Sequence, residues 1–201
     1  MTVTTMTHRT ASLTRRTNET NVIVTLDLDG TGISRITTGI GFFDHMLAQL
    51  AKHSDIDLDI HCDGDLDIDE HHTVEDVGIT LGQALTQALG DKAGIARFGD
   101  AYAPLDETLA RAVVDISGRP YLVYDVANPR ERIGMFAVEM AEHFWRSVAF
   151  SASLTLHIAV LYGRNQHHIL EATFKAAARA LGTATRRLSG RSDIPSTKGR
   201  L

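Results

Sequence analysis

Apolar residues recur at two different spacings along this 201-residue chain. Residues 55–62, DIDLDIHC, alternate polar with apolar side chains, which predicts a strand that buries one face. The β-branched runs VIVTLDL and ISRITT predict two earlier strands, near 21–29 and 32–38, and the Asp-Gly between them predicts a tight hairpin turn. The segment GFFDHMLAQLAKH predicts a helix from about residue 41 to 53.

A second helix is predicted from about residue 72 to 90. Its apolar residues recur at helical spacing and share one face, and a glycine follows them, as is common at helix ends. These residues are Val74, Val77, Leu81, Leu85 and Leu89, with Gly90 at the end. The same order of elements returns later in the chain, in MFAVEMAEHFWRSVAFS, LTLHIAVLYG and HHILEATFKAAARALG.

The two series are copies of each other. Asn-Glu-Thr at 18–20 matches Asp-Glu-Thr at 106–108, His45 matches His143, and the HHxxE motif at 71–75 matches a second HHxxE at 167–171. The second copy gains roughly ten residues near ANPRERIGMF, which predicts a longer loop there. We predict an internally duplicated α+β fold, with two similar halves that each carry a β-sheet covered on one face by helices.

The repeat places the first half at 9–97 and the second at 98–188, each with the order hairpin, helix, hairpin, helix. The remaining residues, 189–201, form a polar tail, SGRSDIPSTKGRL, punctuated by glycine and proline. Such tails are usually ordered only by a ligand or a neighbouring molecule.

Composition narrows the function classes. The formal net charge of −5 and the isoelectric point near 6.0 give no broad basic field, so nucleic acid is not an expected partner. With Cys62 as the single cysteine, no disulfide forms within the chain, which favours a reducing, cytoplasmic location. No run of 18 apolar residues occurs, so we expect no membrane partner.

One short motif, LDLDGT around Asp27, resembles the nucleophilic motif of haloacid-dehalogenase-type phosphatases. That interpretation makes Asp27 a nucleophile with Asp29 as general acid or base. The second copy has VDISG in the same place and lacks the Asp-x-Asp pair. The motif is therefore interpreted as the end of a strand and a turn.

Histidines carry the chemistry that the sequence suggests most strongly, and each HHxxE motif begins a predicted helix. His71 and Glu75 are four residues apart and share a helix face, whereas His72 lies about 100° away around the axis. Two divergent neighbours suit two separate ions better than one. A single such motif is more often a set of polar caps, but two copies in register favour metal binding.

Together with the histidines of the preceding helices, the motifs supply four candidate ligands for each of two metals. The set is His45, His71, His72, Glu75, His143, His167, His168 and Glu171. Six-coordinate ions would keep open positions, which is typical of catalytic sites. Nitrogen and carboxylate ligands without thiolate suit Mn²⁺, Fe²⁺ or Zn²⁺.

Five segments of the chain resemble imidazoleglycerol-phosphate dehydratase, a family of histidine biosynthesis. They are GFFDHMLAQLAKH, DEHHTVEDVGITLGQAL, AEHFWRS, GRNQHHILEATFKAAARAL and IPSTKG. The resemblance implies a metal-dependent dehydratase that converts imidazole-glycerol phosphate, a small-molecule phosphate substrate, to imidazole-acetol phosphate. It also implies two Mn²⁺ per active site, bound by the eight candidate ligands, and a 24-subunit homo-oligomer with active sites between subunits. Asp67, where the family pattern suggests histidine, and Arg200 depart from the pattern without touching the ligands.

The resemblance also implies that the tail, residues 189–201, binds substrate, and it assigns roles to single residues. Glu171, Glu19 and Asp106 are implied as catalytic acid or base candidates. The implied substrate-binding residues are Glu19, Gln49, His53, Arg97, Arg119, Lys175, Ser196, Thr197 and Lys198, where guanidinium, ammonium and hydroxyl groups suit a phosphate. Two alternatives stay open: a non-catalytic metal-binding assembly, and a metal-dependent phosphate-ester hydrolase.

Overall fold

The computed structural model describes residues 8–127 and 130–201. The first half contains β1 (Thr10–Arg16), β2 (Thr20–Asp27), β3 (Ser34–Thr37), α1 (Gly41–Ser54), β4 (Asp57–Gly64) and α2 (His71–Leu89). The second half contains β5 (Phe98–Leu105), β6 (Thr108–Asp115), β7 (Tyr121–Asp125), β8 (Arg132–Ile133), β9 (Phe136–Ala137), α3 (Met140–Ser151), β10 (Thr155–Tyr162) and α4 (Gln166–Thr185). Both predicted helices of the first half and the duplication itself are confirmed.

Each half forms a four-stranded sheet with the same strand order. The orders are β1-β2-β4-β3 and β5-β6-β10-β7, in which the last strand runs parallel to its neighbour and the other pairs are antiparallel. Alternate residues of β2 and β4 are buried, which agrees with the period of two in the sequence. The inserted loop of the second half carries a small two-stranded sheet, β8-β9.

The predicted hairpin between β2 and β3 is wrong, because β4 lies between these strands. All eight residues of β4 pair with β2, from Asp27 with Asp57 to Thr20 with Gly64, while the four residues of β3 pair with its other edge. The longer alternating strand takes the central position because it satisfies more backbone groups there. The true hairpin joins β1 to β2, and one strand replaces the second hairpin predicted in each half.

The Asp-Gly segment after β2 is instead held by side chains. Asp27 accepts a hydrogen bond from the backbone N–H of Asp29, and the Asp29 carboxylate pairs with the guanidinium of Arg9 at 2.6 Å. Asp57 at the start of β4 accepts the N–H groups of Thr31 and Ile33. These bonds close the turn between strands that do not pair with each other.

The helices cover one face of each sheet, as predicted. α1 and α2 contact the first sheet, α3 and α4 contact the second, and the two layers meet where α1 packs on α4 and α2 packs on α3. Buried residues of both halves form one hydrophobic core, with Phe43, Phe136, Phe144, Trp145 and Phe174 among its largest members. Within the described residues, no helix is long and apolar enough to cross a membrane.

Glycines allow the helices of the two halves to approach closely. A Cβ atom at Gly82 of α2 would lie 2.7 Å from the Cβ of Ser151 and 2.8 Å from the carbonyl oxygen of Val148, both on α3. At Gly182 of α4, a Cβ would lie 2.4 Å from the carbonyl oxygen of Ser54 at the end of α1. Any side chain at these positions would force the halves apart.

We predict that Gly82→Ala lowers the free energy of unfolding by about 1–3 kcal/mol, because the added methyl group overpacks the contact between α2 and α3. Chemical denaturation at matched protein concentration measures the loss. Gly41→Ala is the control, since a Cβ at Gly41 meets no atom of the described residues within 4 Å, and it should be neutral or slightly stabilising. Equal stability of the two variants would contradict the close approach.

Candidate active site

Each HHxxE motif occupies the first turn of a helix whose start is fixed by a side chain. Asp69 accepts the backbone N–H of His71 at 2.8 Å, and Asn165 accepts that of His167 at 2.9 Å. Asp69 and Asn165 are equivalent in the repeat, but Asn165 is the N-cap of α4, whereas Asp69 precedes the N-cap of α2, Glu70, by one residue. The two side-chain bonds hold the backbone at the first histidine of each motif and therefore help to set the direction in which the histidines project.

The first trio, which we define as His45, His167 and Glu171, lies between α1 and α4. The Nε2 atoms of His45 and His167 lie 3.1 and 3.0 Å from Oε2 of Glu171. The three ligand atoms are all within 4.8 Å of one another. Glu171 is buried, whereas the two histidines are exposed at the rim.

The second trio, defined as His71, Glu75 and His143, lies between α2 and α3. Nε2 of His143 lies 3.1 Å from Oε1 of Glu75, and the rings of His71 and His143 are 4.6 Å apart between centroids. Its three ligand atoms also fall within 4.8 Å of one another.

Both trios combine the two halves of the chain. The histidine of α1 joins the motif of α4, and the histidine of α3 joins the motif of α2. Each half therefore supplies one histidine to the trio whose other two members belong to the opposite half. The exchange follows directly from the packing of α1 on α4 and of α2 on α3.

His72 and His168, the remaining candidate ligands, belong to neither trio and are held by other carboxylates. Nδ1 of His72 lies 2.9 Å from Oδ2 of Asp65, and Nδ1 of His168 lies 2.8 Å from Oε2 of Glu107. Because the carboxylate contacts Nδ1, the Nε2 atom of each ring is left to coordinate a metal ion. The Asp65 carboxylate raises the pKa of His72 above its ordinary value.

Asp65 and Glu107 are the residues that the sequence interpretation missed. Glu107 matches Glu19 in the repeat, so the duplication offered a signal for it. Asp65 gave no such signal, because Gly163 occupies the corresponding position after β10. Glu107 also accepts the backbone N–H groups of Arg164 and Asn165, and these bonds with His168 hold the pKa of Glu107 well below its usual range.

The two other acid or base candidates face these histidines. An oxygen of Glu19 lies 3.8 Å from Nε2 of His72, and an oxygen of Asp106 lies 3.9 Å from Nε2 of His168. Both carboxylates are exposed, Asp106 at the tight turn between β5 and β6 with a positive φ of 46°. The structure thus places them beside the divergent histidines rather than beside either trio.

Three of the predicted substrate-binding residues lie near the first trio, and we call them the helix set: Gln49, His53 and Lys175. Nζ of Lys175 lies 2.6 Å from Oε1 of Glu171, and Nε2 of His53 lies 3.0 Å from Oε1 of Gln49. Burial, then the charges of Lys175 and Arg179, lower the pKa of His53. Burial alone raises the pKa of Glu171, but hydrogen bonds from Lys175, His45 and His167 outweigh it and lower that pKa to about 2.

The other predicted substrate-binding residues form a separate group, the tail set: Arg97, Arg119, Ser196, Thr197 and Lys198. Arg97 donates to Asp115 at 2.8 Å and to the carbonyl oxygen of Pro195 at 2.8 Å, which ties the tail to the start of the second sheet. Arg119 is largely exposed and lies 3.9 Å from the same Asp115 carboxylate. The tail set is distant from the first trio: the N–H of Arg97 bonds the carbonyl of Ala184, roughly 20 Å along α4 from Glu171 at 1.5 Å per residue.

Comparison with known proteins gives a consistent result. The family model described as Imidazoleglycerol-phosphate dehydratase matches residues 38–181. The chain is 56% identical to the Imidazoleglycerol-phosphate dehydratase of Salinibacter ruber over 193 residues, 96% of each chain. It is 59% identical to that of Gluconacetobacter diazotrophicus over 196 residues, 96% of this chain and 98% of the relative.

Solved structures of the same name resemble the fold. The crystal structure of the Staphylococcus aureus dehydratase matches with a TM-score of 0.81 and 42% identity, over 89% of this chain and 99% of that one. The Pyrococcus furiosus structure, solved in complex with (S)-C348, matches with a TM-score of 0.81 and 38% identity, over 94% of this chain and 100% of that one. With identities above half over nearly its whole length, the chain belongs to the imidazoleglycerol-phosphate dehydratase family, the dehydratases of histidine biosynthesis.

Proposed function

We propose that the chain dehydrates imidazole-glycerol phosphate to imidazole-acetol phosphate with two Mn²⁺ ions in each active site, and that each site is completed between copies of the chain. The observation that carries the metal part is the pair of trios, in which imidazole nitrogens and a carboxylate oxygen converge from opposite halves.

The donor geometry fits a metal ion. Two ligands at right angles, each at about 2.1 Å from an ion, are about 3 Å apart, and the nitrogen-to-oxygen distances in the trios are 3.0–3.1 Å. Nitrogen and carboxylate donors suit Mn²⁺. Burial raises the pKa of the Cys62 thiol to about 11, which keeps this sulfur protonated and unsuited to metal binding.

Bound metal ions would act as Lewis acids on the imidazole ring of the substrate. The electrons of that ring must expel the substrate hydroxyl group, because no neighbouring carbonyl group activates it. The chain's own residues would hold the substrate and move its protons. Glu171 is our first candidate for proton transfer, with Glu19 and Asp106 as the alternatives. Because Lys175 contributes most to the low pKa of Glu171 among the hydrogen-bond donors, turning Lys175 towards the phosphate would make Glu171 a better base.

The separation of the tail set from the first trio supports sites that are shared between copies. A substrate with a three-carbon chain between its ring and its phosphate cannot span roughly 20 Å along α4. His72 and His168 support the same proposal, since their Nε2 atoms lie near Glu19 and Asp106 and neither histidine belongs to a trio of its own chain. A second copy could supply these atoms, and its tail, to complete each site.

We propose a 24-subunit assembly for this purpose, located in the cytoplasm, where a single unpaired cysteine is compatible with reducing conditions. A non-catalytic metal-binding assembly would account for the trios but not for the helix set and the tail set. A metal-dependent phosphate-ester hydrolase would use similar cations. Turnover of imidazole-glycerol phosphate, measured against generic phosphate esters, separates these functions.

We predict that Glu171→Gln lowers kcat by at least ~10², because the amide keeps the size and one oxygen of the side chain but cannot accept a proton. KM should change modestly. Metal content must be measured beside the kinetics, since a lost ion would mimic a lost base. A variant with both ions and near-normal kcat would make Glu171 a ligand only and move the role to Glu19 or Asp106.

Removing metal with a chelator should abolish turnover and loosen the assembly, because ligands from different copies make metal binding part of the association free energy. Size-exclusion chromatography with and without Mn²⁺ measures the assembly. Metal-free protein that keeps full turnover would contradict metal dependence. Metal-free protein that elutes as an unchanged particle would contradict metal-dependent assembly.

Mixing two inactive variants tests whether a site is shared. We expect Glu171→Gln and Arg97→Ala to be weak enzymes alone, and co-assembly from equal amounts to restore up to about a quarter of the sites, those with both residues intact. Separately assembled particles, mixed without exchange, are the control. No recovery on co-assembly would mean that Glu171 and Arg97 of one chain serve the same site.

A further inference from the structure

The two trios have the same donor types but different surroundings. In the first trio, Lys175 follows Glu171 by one helical turn and lies 2.6 Å from its second oxygen. The side chains of both residues are largely buried, 19% and 11% exposed, so water screens their interaction poorly. The first trio therefore already holds a cation of the chain itself.

The second trio lacks this lysine. Ile79 occupies the equivalent position, one turn after Glu75, and the Glu75 side chain is 38% exposed. Among residues 8–127 and 130–201, its one ion pair is with His143. Two further carboxylates, Glu139 and Glu142, line the surface cavity beside this trio together with Arg146.

Both differences favour binding of a divalent cation at the second trio over binding at the first. At the first trio, the ion must either displace the ammonium group of Lys175 from the carboxylate or share that carboxylate with a second positive charge a few ångströms away. At the second trio, the ion meets the carboxylate of Glu75, which pairs with His143 and with no lysine among the described residues. The cavity beside it is lined by two further carboxylates and one arginine. The affinity of a metal site depends on the groups that contact its ligands as well as on the ligands themselves.

We propose that the two trios bind divalent metal ions with unequal affinity, that the second trio fills first, and that Lys175 sets the difference. The duplication thus provides two metal positions of one architecture, which the lysine of the second half makes inequivalent. The proposal rests on the metal binding proposed above and concerns the order of loading, which turnover does not report.

Titration of the metal-free, full-length protein with Mn²⁺ tests the order, with free Mn²⁺ measured by electron paramagnetic resonance. The wild type should show one tight and one weak ion per chain, separated by at least ~10-fold in Kd. Lys175→Met should tighten the weak class by at least ~10-fold and leave the tight class unchanged. His45→Gln should remove the weak class, and His143→Gln the tight class.

The reciprocal variant Ile79→Lys keeps the test independent of how well Lys175→Met folds. It places a lysine one turn after Glu75 and should weaken the tight class by at least ~10-fold. Lys52→Met, which removes an exposed charge from the last turn of α1, is the matched control and should change neither class beyond ~2-fold. Thermal unfolding of every variant verifies its fold.

Two equal sites in the wild type, or an unchanged ratio in both Lys175→Met and Ile79→Lys, would overturn the proposed order and leave the metal-dependent function standing. Loss of the tight class, rather than the weak one, in His45→Gln would reverse the order and overturn it too. Failure of the wild type to bind any Mn²⁺ would remove the metal part of the proposed function as well.

Discussion

The contact between helices of opposite halves is the constraint on which the rest of the structure depends. α1 packs on α4 and α2 packs on α3, at glycines that let backbone approach backbone, and the same contacts bring each upstream histidine to the other half's HHxxE motif. Buried apolar surface supplies the attraction, whereas the histidines of the trios are exposed or half-buried at the rim of that surface. A shift of one half against the other would change the distances between ligand atoms in both trios, so core packing and site geometry are one requirement.

This exchange explains why the two copies remain in one chain. A single half contains an HHxxE motif and an upstream histidine, yet these belong to different trios. Within the described part of the chain, neither half alone builds a group of three ligands, and neither covers its own helices, because each helical layer is buried against the other. Fusion of the copies makes the mutual arrangement intramolecular and removes the concentration dependence that two separate halves would carry.

Local patterns made much of this predictable. Helical spacing in GFFDHMLAQLAKH and in the segment after His71 predicted α1 and α2 within a residue or two, and the repeat carried them to the second half. Strand order was not predictable. The Asp-Gly after β2 indicates a turn but does not indicate which strand pairs with β2. β1 was not predicted because only one of its seven residues is buried. β5 buries alternate residues, but these are the small residues Gly99, Ala101 and Ala103, and Gly99 and Pro104 are typical of loops. The divergence of His72 from His71 followed from helix geometry, but its partner Asp65 depends on the path of the chain after β4.

In both the helix set and the tail set, a carboxylate of the chain pairs with a cation that the family resemblance implies to bind substrate. Asp115 holds Arg97 and lies near Arg119, and Glu171 holds Lys175. Without these partners, the cations would repel one another and their side chains would sample many rotamers. The two pairs differ in what an arriving anion must displace. Arg97 keeps its planar guanidinium on Asp115 and on the tail carbonyl of Pro195, and its geometry survives if another oxygen shares it. Lys175 has a flexible stem and a single carboxylate oxygen to leave, so an arriving anion would meet a rigid cation at Arg97 and a mobile one at Lys175.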